Sequence, residues 1–167
     1  VGRESDVERL FEVSDRELGR VTVLVNNAAA VGPGRRRVEA MRAEAVNALL
    51  AANVTGPIVC AREAIRRMST KHGGPGGVIV NVSSASSRIG APNLWIDYAA
   101  SKGAIDTFTI GLAQEVAQEG IRVNAVRPGL IDTEIHLASG IPDRLARSEK
   151  LIPMKRAGTA QEVAEAI

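Results

Sequence analysis

Apolar residues recur along this chain in two rhythms. Val7, Leu10, Phe11 and Leu18 fall at the spacing of a helix with one buried face. Ser5-Asp6-Val7-Glu8 has the form of a capping box, with serine as N-cap and glutamate three residues on. Gly19 is placed to end that helix. Val21–Val25 is then almost continuously apolar, the pattern of a parallel strand covered on both faces. A second helical stretch runs from Val38 to about Met68, with Ala43, Val46, Leu49, Leu50, Val59, Ile65 and Met68 on its apolar side and Pro57 as an interruption. Gly73–Gly77 reads as a turn into a strand at Val78–Val82. Tyr98–Gln118 reads as a helix, with Ile105, Phe108, Leu112 and Val116 apolar and Gly120 as its stop. Ile121–Val126 is a third strand, followed by a mixed tail that ends in a helical pattern at Ala160–Ile167.

Alternation of helix and strand implies right-handed crossovers and a parallel sheet, with helices on both faces. The expected fold is therefore α/β, a Rossmann-like doubly wound sheet of which three strands and their flanking helices are present. Ligands in such sheets bind beyond the C-terminal ends of the strands. The polar clusters Asn26-Asn27, Ser83-Ser84 and Arg127-Pro128-Gly129 all fall there.

Composition narrows the class. A hydrophobic share of 45% and a charged share of 24% suit one globular domain in 167 residues. No unbroken apolar run approaches the ~20 residues of a membrane span, so no membrane partner is expected. A net charge of +2 is too small to argue for nucleic acid. Arg35-Arg36-Arg37 is the one basic run and reads as a solvated loop. The single cysteine, Cys60, cannot form an internal disulfide, which fits a reducing cytoplasm. His72 and His136 lack partners at metal-ligand spacing, so both are expected in solvent and no metal is expected.

Candidate chemistry centres on Tyr98 and Lys102. They lie four apart on one helix face, so the ammonium can reach toward the phenol, favour the phenolate and lower its pKa. Ser83 and Ser84 stand upstream at a strand end, where a hydroxyl could hydrogen-bond a substrate oxygen. Asn53 precedes Pro57 by four residues. Proline has no N–H for the carbonyl of residue 53, which leaves either a plain kink or a free carbonyl able to hold a water. Trp95, three residues before Tyr98, could line a substrate pocket or anchor a loop.

Taken in order, Asn26-Asn27-Ala28-Ala29, Asn53, Asn81-Val-Ser-Ser84, Tyr98-x-x-x-Lys102 and Pro128-Gly129 with Thr133 resemble the short-chain dehydrogenase/reductase family. The resemblance runs from about residue 5 to the C-terminus. It implies oxidation of an alcohol or reduction of a ketone with NAD or NADP, a small-molecule substrate and a homo-oligomeric full-length form. By resemblance Asn53, Ser84, Tyr98 and Lys102 are catalytic. Tyr98 is the acid/base, and Lys102 also binds the nicotinamide ribose. Asn26, Ala28, Pro128, Gly129, Ile131 and Thr133 would also contact the cofactor, and Asn26 would tie neighbouring strands together. Ser83 competes with Ser84, because the loop from Ser84 to Tyr98 is one residue longer than the commonest family form.

Two departures stand out. Ala29 occupies a usual glycine position. The family's glycine-rich Thr-Gly-x-x-x-Gly-x-Gly turn does not occur in these residues. The chain begins at Val1 and ends inside a helical pattern, which reads as an internal fragment of a larger domain. The competing functional reading is thus a catalytically inactive fragment unable to hold the cofactor. Residues from Ser84 through Thr107 look most like bacterial sugar dehydrogenases or 3-oxoacyl-carrier-protein reductases.

Overall fold

The computed structural model describes residues 1–167. Helix α1 spans Glu4–Leu18 and buries Val7 and Phe11. Its N-cap is Arg3 rather than Ser5, which already lies inside the first turn, so the expected capping box does not form. Glu4 and Asp6 instead put negative charge at the helix N-terminus. Gly19 ends the helix at φ 84°, in the region that favours glycine. A true capping box occurs elsewhere: Glu162 N–H donates to Thr159 Oγ1 at 3.1 Å and Thr159 N–H donates to Glu162 Oε2 at 2.8 Å.

Strand β1 is Val23–Asn26. The next helix begins later than the apolar pattern suggests. Val38–Ala40 is a single 3₁₀ turn, and α2 runs from Ala43 to Leu50. Ala51–Thr55 then widens into a π turn, in which Gly56 N–H meets the Ala51 carbonyl, before α3 continues over Gly56–Met68. Pro57 cannot donate to the carbonyl four residues back, and the wider turn carries the helix past that gap. Counted through the π turn, Ala43–Met68 is long and apolar enough to cross a membrane by length and composition. Here it places Leu49, Asn53, Cys60, Ala61, Ala64 and Met68 in the interior.

Strand β2 is Gly77–Val82 and β3 is Ile121–Val126. Between them lie the short helix α4, Ser86–Ile89, and the long α5, Ile96–Glu115, which a 3₁₀ turn and Gly120 terminate. The three strands pair in parallel in the order β1-β2-β3, with Val25 opposite Val80 and Val80 opposite Asn124. Each crossover steps the same way across the sheet. Right-handed connections therefore leave α3 and α5 on one face, with α1 against α3. Coverage of both faces by long helices, expected from the alternation, is not reached: that requires a reversal of strand order, and these three strands contain none.

The core joins Val7 and Phe11 of α1, Cys60, Ala61, Ala64 and Met68 of α3, Ile79 of β2, Leu112 of α5, and Ile121 and Val123 of β3, with Val116 just past α5. On the other sheet face Val23 and Val25 are 59% and 40% exposed, and β1 and β3 both have an open edge. The tail forms a small parallel sheet of its own. Strand β4, Ile131–Asp132, pairs with β5, Gly158–Thr159. Helices α6, Ile135–Ala138, and α7, Arg144–Ser148, lie between them, and α8, Ala160–Ala164, follows.

Candidate active site

The loops after β1, β2 and β3 open into one cavity of about 1020 Å³, closed on its far side by the tail. Asn27, Ala28, Ser84, Tyr98, Lys102, Pro128, Gly129, Ile131 and Thr133 all line it, so most of the residues singled out in the sequence meet here. Asn26 and Asn53 do not line it; they act one layer behind.

Strand β2 delivers the serines. The Ser83 hydroxyl donates to the Lys102 carbonyl at 3.2 Å, and Ser83 N–H donates to Val126 O at 2.8 Å. Ser83 thus stitches β2 to α5 and β3. The Ser84 oxygen accepts from Ser86 N–H at 3.1 Å, and its hydroxyl lies against the Tyr98 phenol. Both serines stand just past the end of β2 and both border the cavity; they differ in what their hydroxyls meet. The loop from Ser84 to Tyr98 carries Gly90, Ala91 and Asn93 at φ 76°, 46° and 56°. Ala91 and Asn93 carry side chains in the left-handed region, and such strain gathers near functional sites.

Helix α5 delivers Tyr98 in its first turn and Lys102 one turn later. Lys102 is 3% exposed, and its Nζ donates to Val82 O at 2.6 Å. Burial lowers its pKa to about 8, against the pull of Asp106. The ammonium lies 5.6 Å from the Tyr98 ring centroid. The phenol is nonetheless pushed above its ordinary value: burial dominates, while the Ser84 hydroxyl and the positive charge of Arg144 pull the other way. The expected net lowering by Lys102 is therefore not found in this structure, because desolvation outweighs the charges nearby. At neutral pH the site holds a protonated phenol and a charged lysine.

Asn53 is 1% exposed, and its side chain is a bracket. Its Oδ1 accepts from Ala30 N–H at 2.7 Å, and its Nδ2 donates to Ala30 O at 2.8 Å and to Ser101 Oγ at 3.1 Å. Ser101 in turn donates to the Tyr98 carbonyl at 2.7 Å. Asn26 ties β1 to β2, as expected, by donating to Asn81 Oδ1 at 2.9 Å. Asn81 donates on to Thr109 Oγ1 at 2.9 Å. Buried amides of this kind are fully paired and fix strand against helix.

Several residues here escaped the sequence reading. Arg36, expected in solvent, is largely covered and pairs with Asp97, whose Oδ1 also accepts Tyr98 N–H at 3.0 Å. Its guanidinium packs where a Gly32 side chain would otherwise sit. His136, also expected in solvent, is 4% exposed, with Nε2 2.9 Å from Ile131 O. Trp95 both lines the cavity and anchors its loop: it is 2% exposed and meets Tyr98 edge-on with ring centroids 6.1 Å apart. Arg144 stacks on it at 4.2 Å. Only the aromatic character of Trp95 and the acid beside Tyr98 hinted at these contacts.

A parallel α/β sheet with Ser84, Tyr98 and Lys102 gathered at its C-terminal edge defines a Rossmann-like domain with its candidate site at that edge. The chain belongs to the short-chain dehydrogenase/reductase family. Residues 1–167 match the family described as enoyl-(acyl carrier protein) reductase. The chain is 51% identical over 167 residues to the uncharacterized oxidoreductase YgfF of Escherichia coli, covering all of this chain and 67% of that protein. It is 39% identical over 168 residues to glucose 1-dehydrogenase of Gluconobacter oxydans, covering 100% of this chain and 61% of that one. A solved structure of ElxO with NADP bound superposes with a TM-score of 0.84 at 31% identity, over 99% of this chain and 65% of that one. The segment thus spans about two thirds of the proteins it resembles.

Proposed function

We propose that residues 1–167 are part of a single Rossmann-like domain whose whole protein interconverts an alcohol and a ketone with NAD or NADP. A sugar or a 3-hydroxyacyl compound fits the resemblance of the loop before Tyr98. The observation that carries the reading is the convergence of Ser84 and Lys102 on Tyr98 within a cavity of nucleotide size.

The residues present fit the nicotinamide end of such a cofactor. His136 and Trp95 are among the lining residues, and Pro128, Gly129, Ile131 and Thr133 form one wall. Ala28 and Lys102 complete the set that would hold it, with Asn26 supporting the loop from one layer behind. When bound, a nicotinamide supplies or accepts the hydride.

Tyr98 is the proton donor in reduction. Its raised pKa keeps the phenol protonated at neutral pH, the form a general acid needs. The Ser84 hydroxyl holds the substrate oxygen beside it. Lys102 stays charged below about pH 8 and favours the phenolate left behind. Asn53 holds Ala30 and, through Ser101, the Tyr98 backbone. In the whole protein, Tyr98→Phe is expected to cut turnover by at least ~10²-fold while cofactor affinity changes little. Turnover within a few-fold of the parent would falsify the role of the phenol.

A further inference from the structure

Arg144 is the one charged side chain that the tail sends into the cavity. Its guanidinium stacks on the Trp95 ring at 4.2 Å and makes no hydrogen bond or ion pair with the protein. Stacking engages the flat face of a guanidinium and leaves its in-plane N–H fork free. That fork matches a carboxylate, which it can hold through two parallel hydrogen bonds.

The lining supports the same conclusion. Lys102 and Arg144 are its only charged side chains; no aspartate or glutamate faces the cavity. The buried Lys102 ammonium already donates to the Val82 carbonyl, whereas the half-buried Arg144 guanidinium has no hydrogen-bond partner. Arg144 is also close enough to Tyr98 for its charge to act on the phenol, and Trp95 bridges the two. A half-buried cation without a counterion is costly, and an anion arriving with the substrate would relieve that cost.

We propose that Arg144 is a substrate-recognition residue and that the substrate is a carbonyl acid, its carboxylate paired with Arg144 while its carbonyl oxygen meets Tyr98 and Ser84. This rests on the reductase reading for the carbonyl end alone. The anion site itself stands on the cavity's charge and on the free guanidinium. A substrate without the charge would leave the guanidinium unpaired, so the preference is built in as a penalty on neutral analogues.

Trp95 is the only tryptophan of residues 1–167, and in the whole protein the difference in emission between the parent and a Trp95→Phe variant reports on the stacked guanidinium. In the whole protein, acetoacetate and levulinate are titrated against Trp95 emission, beside their methyl esters. The same four compounds are tested as oxidants of NADH and of NADPH. The acids are expected to perturb the emission and to be reduced in preference to the esters. Arg144→Gln is expected to weaken acid binding on the order of 10- to 100-fold, the loss of a charge-assisted hydrogen bond, and to leave ester and NADPH affinities within a few-fold. Equal losses for acid and ester would make Arg144 a loop anchor and overturn the proposal. A matching loss of NADPH affinity would assign it to the cofactor and overturn it too. An Arg144-dependent response to the acids with oxidation of neither NADH nor NADPH would support the anion site and defeat the reductase reading. No response to either acid, or one unaltered by the substitution, would overturn the anion site.

Discussion

Replacing Asn53 with alanine should destabilise the protein by about 3 kcal/mol. The side chain is 1% exposed and makes three hydrogen bonds: two with the Ala30 backbone, at 2.7 and 2.8 Å, and one with Ser101 Oγ at 3.1 Å. Each such bond contributes roughly 1 kcal/mol net, more where the abandoned partner stays buried. Ala30 is half-buried, so water recovers part of its loss, whereas Ser101 is 0% exposed and keeps only its bond to the Tyr98 carbonyl. The space vacated by the amide adds a smaller cost. The bracket also sets where the loop after β1 and the first turn of α5 stand relative to each other. Urea unfolding of the whole protein, followed by circular dichroism, gives the loss directly. Asn53→Asp discriminates further: it keeps the acceptor for Ala30 N–H but turns an oxygen toward Ala30 O, so it should be at least as damaging as alanine. A loss below about 1 kcal/mol for Asn53→Ala, or a silent Asn53→Asp, would refute the bracket.

Ser84→Ala should lower turnover far more than Ser83→Ala, whose hydroxyl bonds the Lys102 carbonyl; parallel kinetics on the two variants decide it, and a dead Ser83→Ala with an active Ser84→Ala reverses the assignment. The pH profile of kcat/KM for ketone reduction should fall on its basic side with an apparent pKa of about 8, where buried Lys102 loses its charge in the free enzyme. The same shift has a stability sign. The folded pKa lies below the ordinary 10.5, so the unfolded chain binds the extra proton between about pH 8 and that value, and stability should rise with pH through this window by the Lys102 contribution. A Lys102→Met protein that keeps both the basic limb and the rise would show that another group is responsible. Residues 1–167 alone should self-associate through the open edge of β1 and its exposed Val23 and Val25, and should not bind NADH or NADPH at micromolar concentration; a monodisperse monomer that binds either would refute this.

The order of helices and strands was legible in the sequence because it rests on local rules. The period of Ile105, Phe108 and Leu112, the glycines at 19 and 120, and the apolar run into Asn26 each speak through neighbours a few residues away. Parallel topology follows from that order, and it alone brings Asn27, Ser84, Tyr98 and Pro128 to one edge. What the sequence could not decide involves partners far apart in the chain or competition between burial and charge. Ser83 and Ser84 differ only in what their hydroxyls meet just past the end of β2. Asn53 meets Ala30 23 residues upstream, where the sequence pointed to its carbonyl and Pro57. Arg36, in a run that reads as solvated, finds Asp97 61 residues away. Arg144 comes from a tail with no readable pattern to lie on Trp95. The direction of the Tyr98 shift depends on how much water the fold removes from the phenol, and that is settled only once the loops after three strands have closed around it.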